Sequence, residues 1–135
     1  MCGTCMDSTR PMVYIVDDDA SVRRALDLLA RSVDLEARGF ATGGEFLAAD
    51  HGTRPACVVL DLRLTDMHGL EVLRRLARTD PDLGVVVVTG YGDELTRREA
   101  LAGGAVAFLS KPFDDQMLVE AIQRALNGRQ PVGKG

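Results

Sequence analysis

No apolar run in this sequence approaches the roughly 18 residues that a membrane span requires, so no transmembrane helix is expected. The first ten residues lack the apolar stretch of a secretory signal. Cysteine is scarce, with Cys2, Cys5 and Cys57 alone. An odd count without a secretory signal argues against a disulfide framework. Cys2 and Cys5 form a C-x-x-C, but no second ligand pair accompanies them, so they read as incidental thiols in a frayed tail. Cys57 sits in an apolar run and reads as a small core residue. Internal repeats and low-complexity segments are absent. Positive charge is in deficit: 16 Lys and Arg face 20 Asp and Glu, for a net charge of −4. That balance argues against nucleic-acid binding by this chain alone. A soluble, cytoplasmic protein with no membrane or nucleic-acid partner is expected.

What the sequence does have is apolar patterning. Its 135 residues suit one domain, and a composition that is 46% hydrophobic supports a sizeable core. Five apolar segments recur: "MVYIV" (12–16), "LEARGF" (35–40), "ACVVL" (56–60), "GVVVV" (84–88) and "AVAFL" (105–109). Four are near-continuous, as in strands buried on both faces. The second alternates and carries charge, which predicts an edge strand.

Helical spacing fills the intervals. It is carried by Val22, Ala25, Leu26, Leu29 and Val33, by Leu70, Leu73, Leu76 and Ala77, and by Leu118, Ala121, Ile122 and Ala125. Residues 43–50 and 93–103 are weaker helix candidates with more polar faces. Asn127-Gly128 is a stop signal for the last helix. Strand and helix alternating five times predict an α/β fold, a parallel sheet with helices on both faces. "GRQPVGKG" at the end has no periodicity and reads as a linker or tail.

In an open parallel sheet, sites form beyond the carboxyl ends of the strands. Here strand one ends in Asp17, Asp18 and Asp19, and strand three in Asp61. Strand four ends in Thr89 and Gly90, and strand five in Ser110, Lys111 and Pro112. Carboxylates, a hydroxyl and an ammonium therefore converge on one edge. Such a cluster is electrostatically costly without a cation. Hard oxygen ligands with no His or Cys nearby favour Mg²⁺ or Mn²⁺. A metal, a lysine and a hydroxyl around one aspartate suit phosphoryl chemistry, because aspartate attacks phosphorus to give an acyl phosphate. Asp19 is expected only to help start the helix at Ser21.

These residues resemble the receiver domain of two-component response regulators. The pieces that match are "IVDDD" (15–19), "VVLDLRLTDMHGL" (58–70), "VVVVTGYGD" (85–93) and "AVAFLSKPF" (105–113), in the family's order. The resemblance covers residues 11–128, leaving 1–10 as a disordered tail and 129–135 as a linker or C-terminal tail. It implies a doubly wound, flavodoxin-like sheet of five parallel strands in the order 2-1-3-4-5 with five helices.

Carried over by position, the resemblance makes Asp61 the phospho-acceptor. It makes Asp18 the direct Mg²⁺ ligand, Asp17 a ligand mainly through water, and the Arg63 backbone carbonyl the third protein ligand. Thr89 becomes the switch hydroxyl, Lys111 the lysine that pairs with acceptor and phosphate, and Phe108 the switch aromatic. The Lys111-Pro112 bond is expected to be cis. Arg63 and Tyr91 flank the phosphoryl group and are expected to lengthen its lifetime.

The implied donor is a histidine kinase or phosphotransfer protein. The implied output is a partner or a second copy bound through the face of helix four, strand five and helix five. The "TGYGD" stretch resembles the FixJ-like branch, whose receivers often precede a helix-turn-helix domain. Both a stand-alone receiver and a piece of a longer regulator fit the sequence.

Two positions depart from the family. Thr65 stands where proline is usual, and His68 where a small or acidic residue is usual. Thr65 loosens a loop without removing chemistry, and His68 reads as a solvent-exposed loop residue. The rival enzyme reading is an aspartate-nucleophile phosphatase of the haloacid-dehalogenase type, prompted by "DDDAS". Its nucleophile would be Asp17 on strand one, and the chain has little room for the cap those enzymes use. A flavodoxin-like nucleotide binder fits less well, because the turn after strand one is acidic rather than glycine-rich.

Overall fold

The computed structural model describes residues 10–52, 55–90 and 92–127. Cys2, Cys5, Tyr91, Gly128 and the segment 129–135 lie outside the described residues. Five strands form one parallel sheet: β1 (Met12–Val16), β2 (Glu36–Phe40), β3 (Ala56–Asp61), β4 (Gly84–Thr89) and β5 (Ala107–Ser110). Their order is β2-β1-β3-β4-β5, as expected, and the charged second segment is an edge strand; β5, expected from its apolar run to be buried on both faces, is the other edge and is only partly buried. Five helices alternate with them: α1 (Ala20–Ser32), α2 (Gly43–Ala48), α3 (Gly69–Thr79), α4 (Glu94–Ala102) and α5 (Asp115–Asn127). None of them is long and apolar enough to cross a membrane.

The period-two alternation of each strand divides the core. Tyr14, Val58, Leu60, Val85 and Val87 face one side, against Phe46, Val72, Leu73, Leu76 and Ala100 of α2, α3 and α4. Val13, Ile15, Cys57, Val59, Val86 and Val88 face the other, against Ala30 of α1 and Leu118, Ala121, Ile122 and Ala125 of α5. Both faces of the central strands are thereby covered, which is why their sequences run apolar without alternating. Burial pushes the Cys57 thiol up to about 12, so it stays protonated, as an inert core residue does.

Two further expectations shift. The apolar run 105–109 begins before its strand does. Gly104 takes a φ of +110°, Ala105 turns its N–H back to Ala100, Val106 donates to the Val85 carbonyl at 2.8 Å, and the strand itself begins at Ala107. On α1 the expected face includes Ala25, but Ala25 is exposed and Ala30 is the buried residue.

Candidate functional site

The site is built at the carboxyl ends of β1, β3, β4 and β5. Asp61 closes β3 and Thr89 closes β4, both buried. Asp17 follows β1 and is 2% exposed, while Asp18 beside it is exposed. Lys111 follows β5, half-buried, and precedes Pro112 through a cis peptide bond. Parallel register brings these ends together: Val16 pairs with Leu60, Asp61 with Val88, and Thr89 with Ser110.

Asp17, Asp18 and Asp61 each offer a carboxylate oxygen, and these oxygens lie within 4.8 Å of one another. Lys111 Nζ stands 3.7 Å from both Asp17 Oδ2 and Asp61 Oδ2. That distance gives ionic attraction but no hydrogen bond. Asp17 Oδ2 is in fact buried with no hydrogen-bond partner. Its other oxygen accepts the Asp19 N–H at 2.9 Å. Burial, the largest cause, raises the Asp17 carboxyl above the usual carboxylate range. The Asp19 N–H opposes this, the Asp61 charge adds to it, and Lys111 opposes it again. An orphaned buried oxygen in an all-oxygen donor set fits a hard divalent cation such as Mg²⁺.

The acceptor candidate is held from its own loop. The Arg63 N–H donates to Asp61 Oδ1 at 3.0 Å, while the Arg63 side chain is exposed. Phe108 lies half-buried in β5 and packs against the α3–α4 side of the core. A cavity of about 500 Å³ opens beside these groups, lined by Arg63, Thr65, His68, Thr89 and Asp93 among others. Tyr91 lies outside the described residues, so its place relative to the cavity is not described.

Asp19 has the helix-starting role expected of it. It is the N-cap of α1, accepting the Ser21 N–H and hydroxyl at 2.9 and 2.7 Å. His68 is exposed before α3, as expected, and has a role the sequence reading did not give it. It is the N-cap of α3, and its Nδ1 accepts the Leu70 N–H at 3.1 Å.

Two supporting residues were not predicted. Arg23, one turn into α1, donates from Nη1 to the Asp17 carbonyl at 2.6 Å and fixes the chain as it leaves β1. Asp66 reaches from the β3–α3 loop to the start of α2. The paired arginines in "SVRRAL" were the sequence signal for the first; no local pattern marks the second.

The response regulator receiver domain family matches residues 13–123. Nodulation protein W of Bradyrhizobium diazoefficiens is 42% identical over 118 residues, covering 87% of this chain and 52% of that protein. The transcriptional regulatory protein FixJ of the same organism is 35% identical over 127 residues, covering 94% of this chain and 62% of that protein. The crystal structure of FixJ-N superposes with a TM-score of 0.78 at 37% identity, covering 86% of this chain and 93% of that one. The chain thus spans between half and two thirds of the length of these two curated relatives.

Proposed function

Because the chain belongs to the response regulator receiver domain family, we propose that Asp61 is its phosphoryl acceptor. Receiver domains of response regulators accept phosphoryl groups in two-component signalling, so this is a signalling domain. Nothing among the relatives supports the phosphatase alternative. The observation that carries the assignment is the position of Asp61: buried, at the end of a central strand, beside Asp17 and Lys111.

An Asp61 carboxylate oxygen attacks the phosphorus of a phosphohistidine on a histidine kinase or phosphotransfer protein. The O–P bond forms as the P–N bond breaks, and the departing imidazole takes a proton from solvent. Receiver domains bind Mg²⁺ at an acidic aspartate cluster. Here Asp17, Asp18, Asp61 and the Arg63 carbonyl would hold Mg²⁺ (or Mn²⁺), which supplies charge neutralisation for the phosphoryl oxygens. Arg63 N–H orients the Asp61 carboxylate. Lys111 adds a positive charge for the transferred group. The Thr89 hydroxyl then moves toward the phosphoryl group and lets Phe108 turn inward.

That motion alters the face of α4, β5 and α5, which serves as the docking surface for an output partner or a second copy. Leu95 and Leu101 of α4 and Met117 of α5 are exposed apolar side chains on two of these elements. Residues 11–128 make up the receiver, whether it acts alone or within a longer regulator. Incubation with Mg²⁺ and acetyl phosphate adds one phosphoryl group to the wild type, none to Asp61→Asn and almost none to Asp18→Ala. Full uptake by Asp61→Asn would overturn the assignment.

A further inference from the structure

The β3–α3 loop, residues 62–68, carries the Arg63 backbone whose N–H holds the acceptor carboxylate. A loop that fixes a reacting group must itself be fixed. Its two ends are tied to each other. Gly69 N–H donates to the Leu62 carbonyl at 2.8 Å, Arg63 and His68 form a β-bridge, and His68 caps α3. Its middle has no covalent restraint, because Thr65 stands where a proline would fix φ.

Asp66 ties that middle to an element outside the loop. Its Oδ1 accepts the Gly43 N–H at 3.0 Å and its Oδ2 accepts the Gly44 N–H at 2.9 Å. These are the first two N–H groups of α2, which have no partner within the helix. The bonds span 23 and 22 residues, so they join two separate elements. Chiefly the Gly44 N–H holds the Asp66 carboxyl below its ordinary range, so the clamp is ionised at neutral pH. The fit around it is close. A Cβ on Gly43 would stand 2.8 Å from Val72 Cγ2 and 3.1 Å from Met67 Cγ, so glycine lets the loop lie directly on α2.

We propose that Asp66 is a positioning residue for phosphoryl transfer: its carboxylate pins the β3–α3 loop to the start of α2 and so sets the Arg63 backbone against Asp61. This rests on the assignment of Asp61 as acceptor. Asp66 is no part of the acceptor or the proposed metal ligand set; it acts through Leu64 and Thr65, the two residues between itself and Arg63.

The test uses the whole chain with Asp66→Ala, Asp66→Asn and Asp66→Ala combined with Thr65→Pro. With metal chelated, the Arg63 amide resonance of Asp66→Ala moves away from its wild-type position. The Mg²⁺ dissociation constant rises by on the order of tenfold. Phosphoryl uptake from acetyl phosphate slows at limiting Mg²⁺ and recovers at saturating Mg²⁺. Asp66→Asn, which keeps one acceptor oxygen, falls between wild type and Asp66→Ala.

Adding Thr65→Pro restores the Arg63 resonance and most of the Mg²⁺ affinity, since proline orders the loop without returning the charge. An unmoved Arg63 resonance with unchanged Mg²⁺ affinity overturns the proposal. So does a Mg²⁺ defect that Thr65→Pro leaves untouched, which would mark a charge effect. If Asp61→Asn still takes up phosphate, the acceptor assignment itself falls. If only the Asp66 variants behave as wild type, this inference alone falls.

Discussion

Lys111 Nζ stands 3.7 Å from Asp61 Oδ2, and the same distance separates it from Asp17 Oδ2. One ammonium thus faces two buried carboxylates without a hydrogen bond to either. It offsets part of their repulsion and remains available to a new anion.

Lys111→Met should therefore split two properties. The metal no longer competes with a local cation, so Mg²⁺ binds severalfold more tightly. The transferred phosphoryl group loses a stabilising charge, so uptake from acetyl phosphate slows by about tenfold or more. Titration with Mg²⁺ and a time course of uptake measure the two effects, and an unchanged rate would remove Lys111 from the chemistry.

Asp17→Asn should stabilise the chain while abolishing its response to metal. The ionised Asp17 carboxylate leaves Oδ2 buried without a hydrogen bond, which works against folding. In chelator, the variant should gain about 1 kcal/mol, or roughly 4 °C in Tm. Because folding raises this carboxyl, the folded chain binds the proton more tightly than the unfolded one. The wild type keeps that stability below the unfolded value of 3.8 and loses it as pH rises through the raised one. The gain in Asp17→Asn should thus be small at pH 3 and full at pH 7. Added Mg²⁺ should raise the Tm of the wild type alone.

Thr89→Ala should separate phosphorylation from signalling. Thr89 is buried at the end of β4, and Phe108 lies half-buried in the neighbouring strand. The variant should still take up phosphate on Asp61 but show little of the amide-shift change in α4, β5 and α5. The phosphorylated wild type should also self-associate or bind its partner more tightly, by sedimentation or binding assay. A full wild-type shift pattern in phosphorylated Thr89→Ala would refute coupling through this hydroxyl.

Phosphoryl lifetime should depend on Arg63 and Tyr91. Hydrolysis needs a water in line with the Asp61–phosphorus bond, and a long or bulky side chain beside that line denies it room. The exposed Arg63 side chain lines the cavity next to the site. Tyr91→Ala should shorten the half-life severalfold with Mg²⁺ affinity unchanged, and Arg63→Ala should act in the same direction. Unchanged half-lives in both variants would show that neither shields the bond.

Much of this was legible in the sequence because parallel sheets convert strand order into site geometry. The runs ending in Asp17, Asp61, Thr89 and Lys111 needed only correct pairing to meet; apolar continuity marked the first three as central, while the fourth, equally apolar, is the edge strand β5. The clamp from Asp66 to Gly43 and Gly44 was not legible, because contacts between two loops leave no periodic trace. Arg23 was visible as a helical arginine, but its bond to the Asp17 carbonyl depends on how α1 leaves β1. His68 looked like a loop residue because imidazole is an uncommon N-cap, and only the backbone geometry reveals the role. The early start expected for β5 reflects the apolar Ala105, whose N–H turns back to Ala100 after Gly104, and Val106, which makes one bond to Val85 of β4 before the strand begins.

The most direct measurement is the position of the phosphoryl group. The chain is phosphorylated with Mg²⁺ and acetyl phosphate, reduced with borohydride to convert the acyl phosphate to homoserine, digested, and mapped by mass spectrometry. The account predicts homoserine at position 61 in the wild type and no converted aspartate in Asp61→Asn. Conversion at Asp17 or Asp18 in the wild type, with Asp61 unmodified, would contradict it.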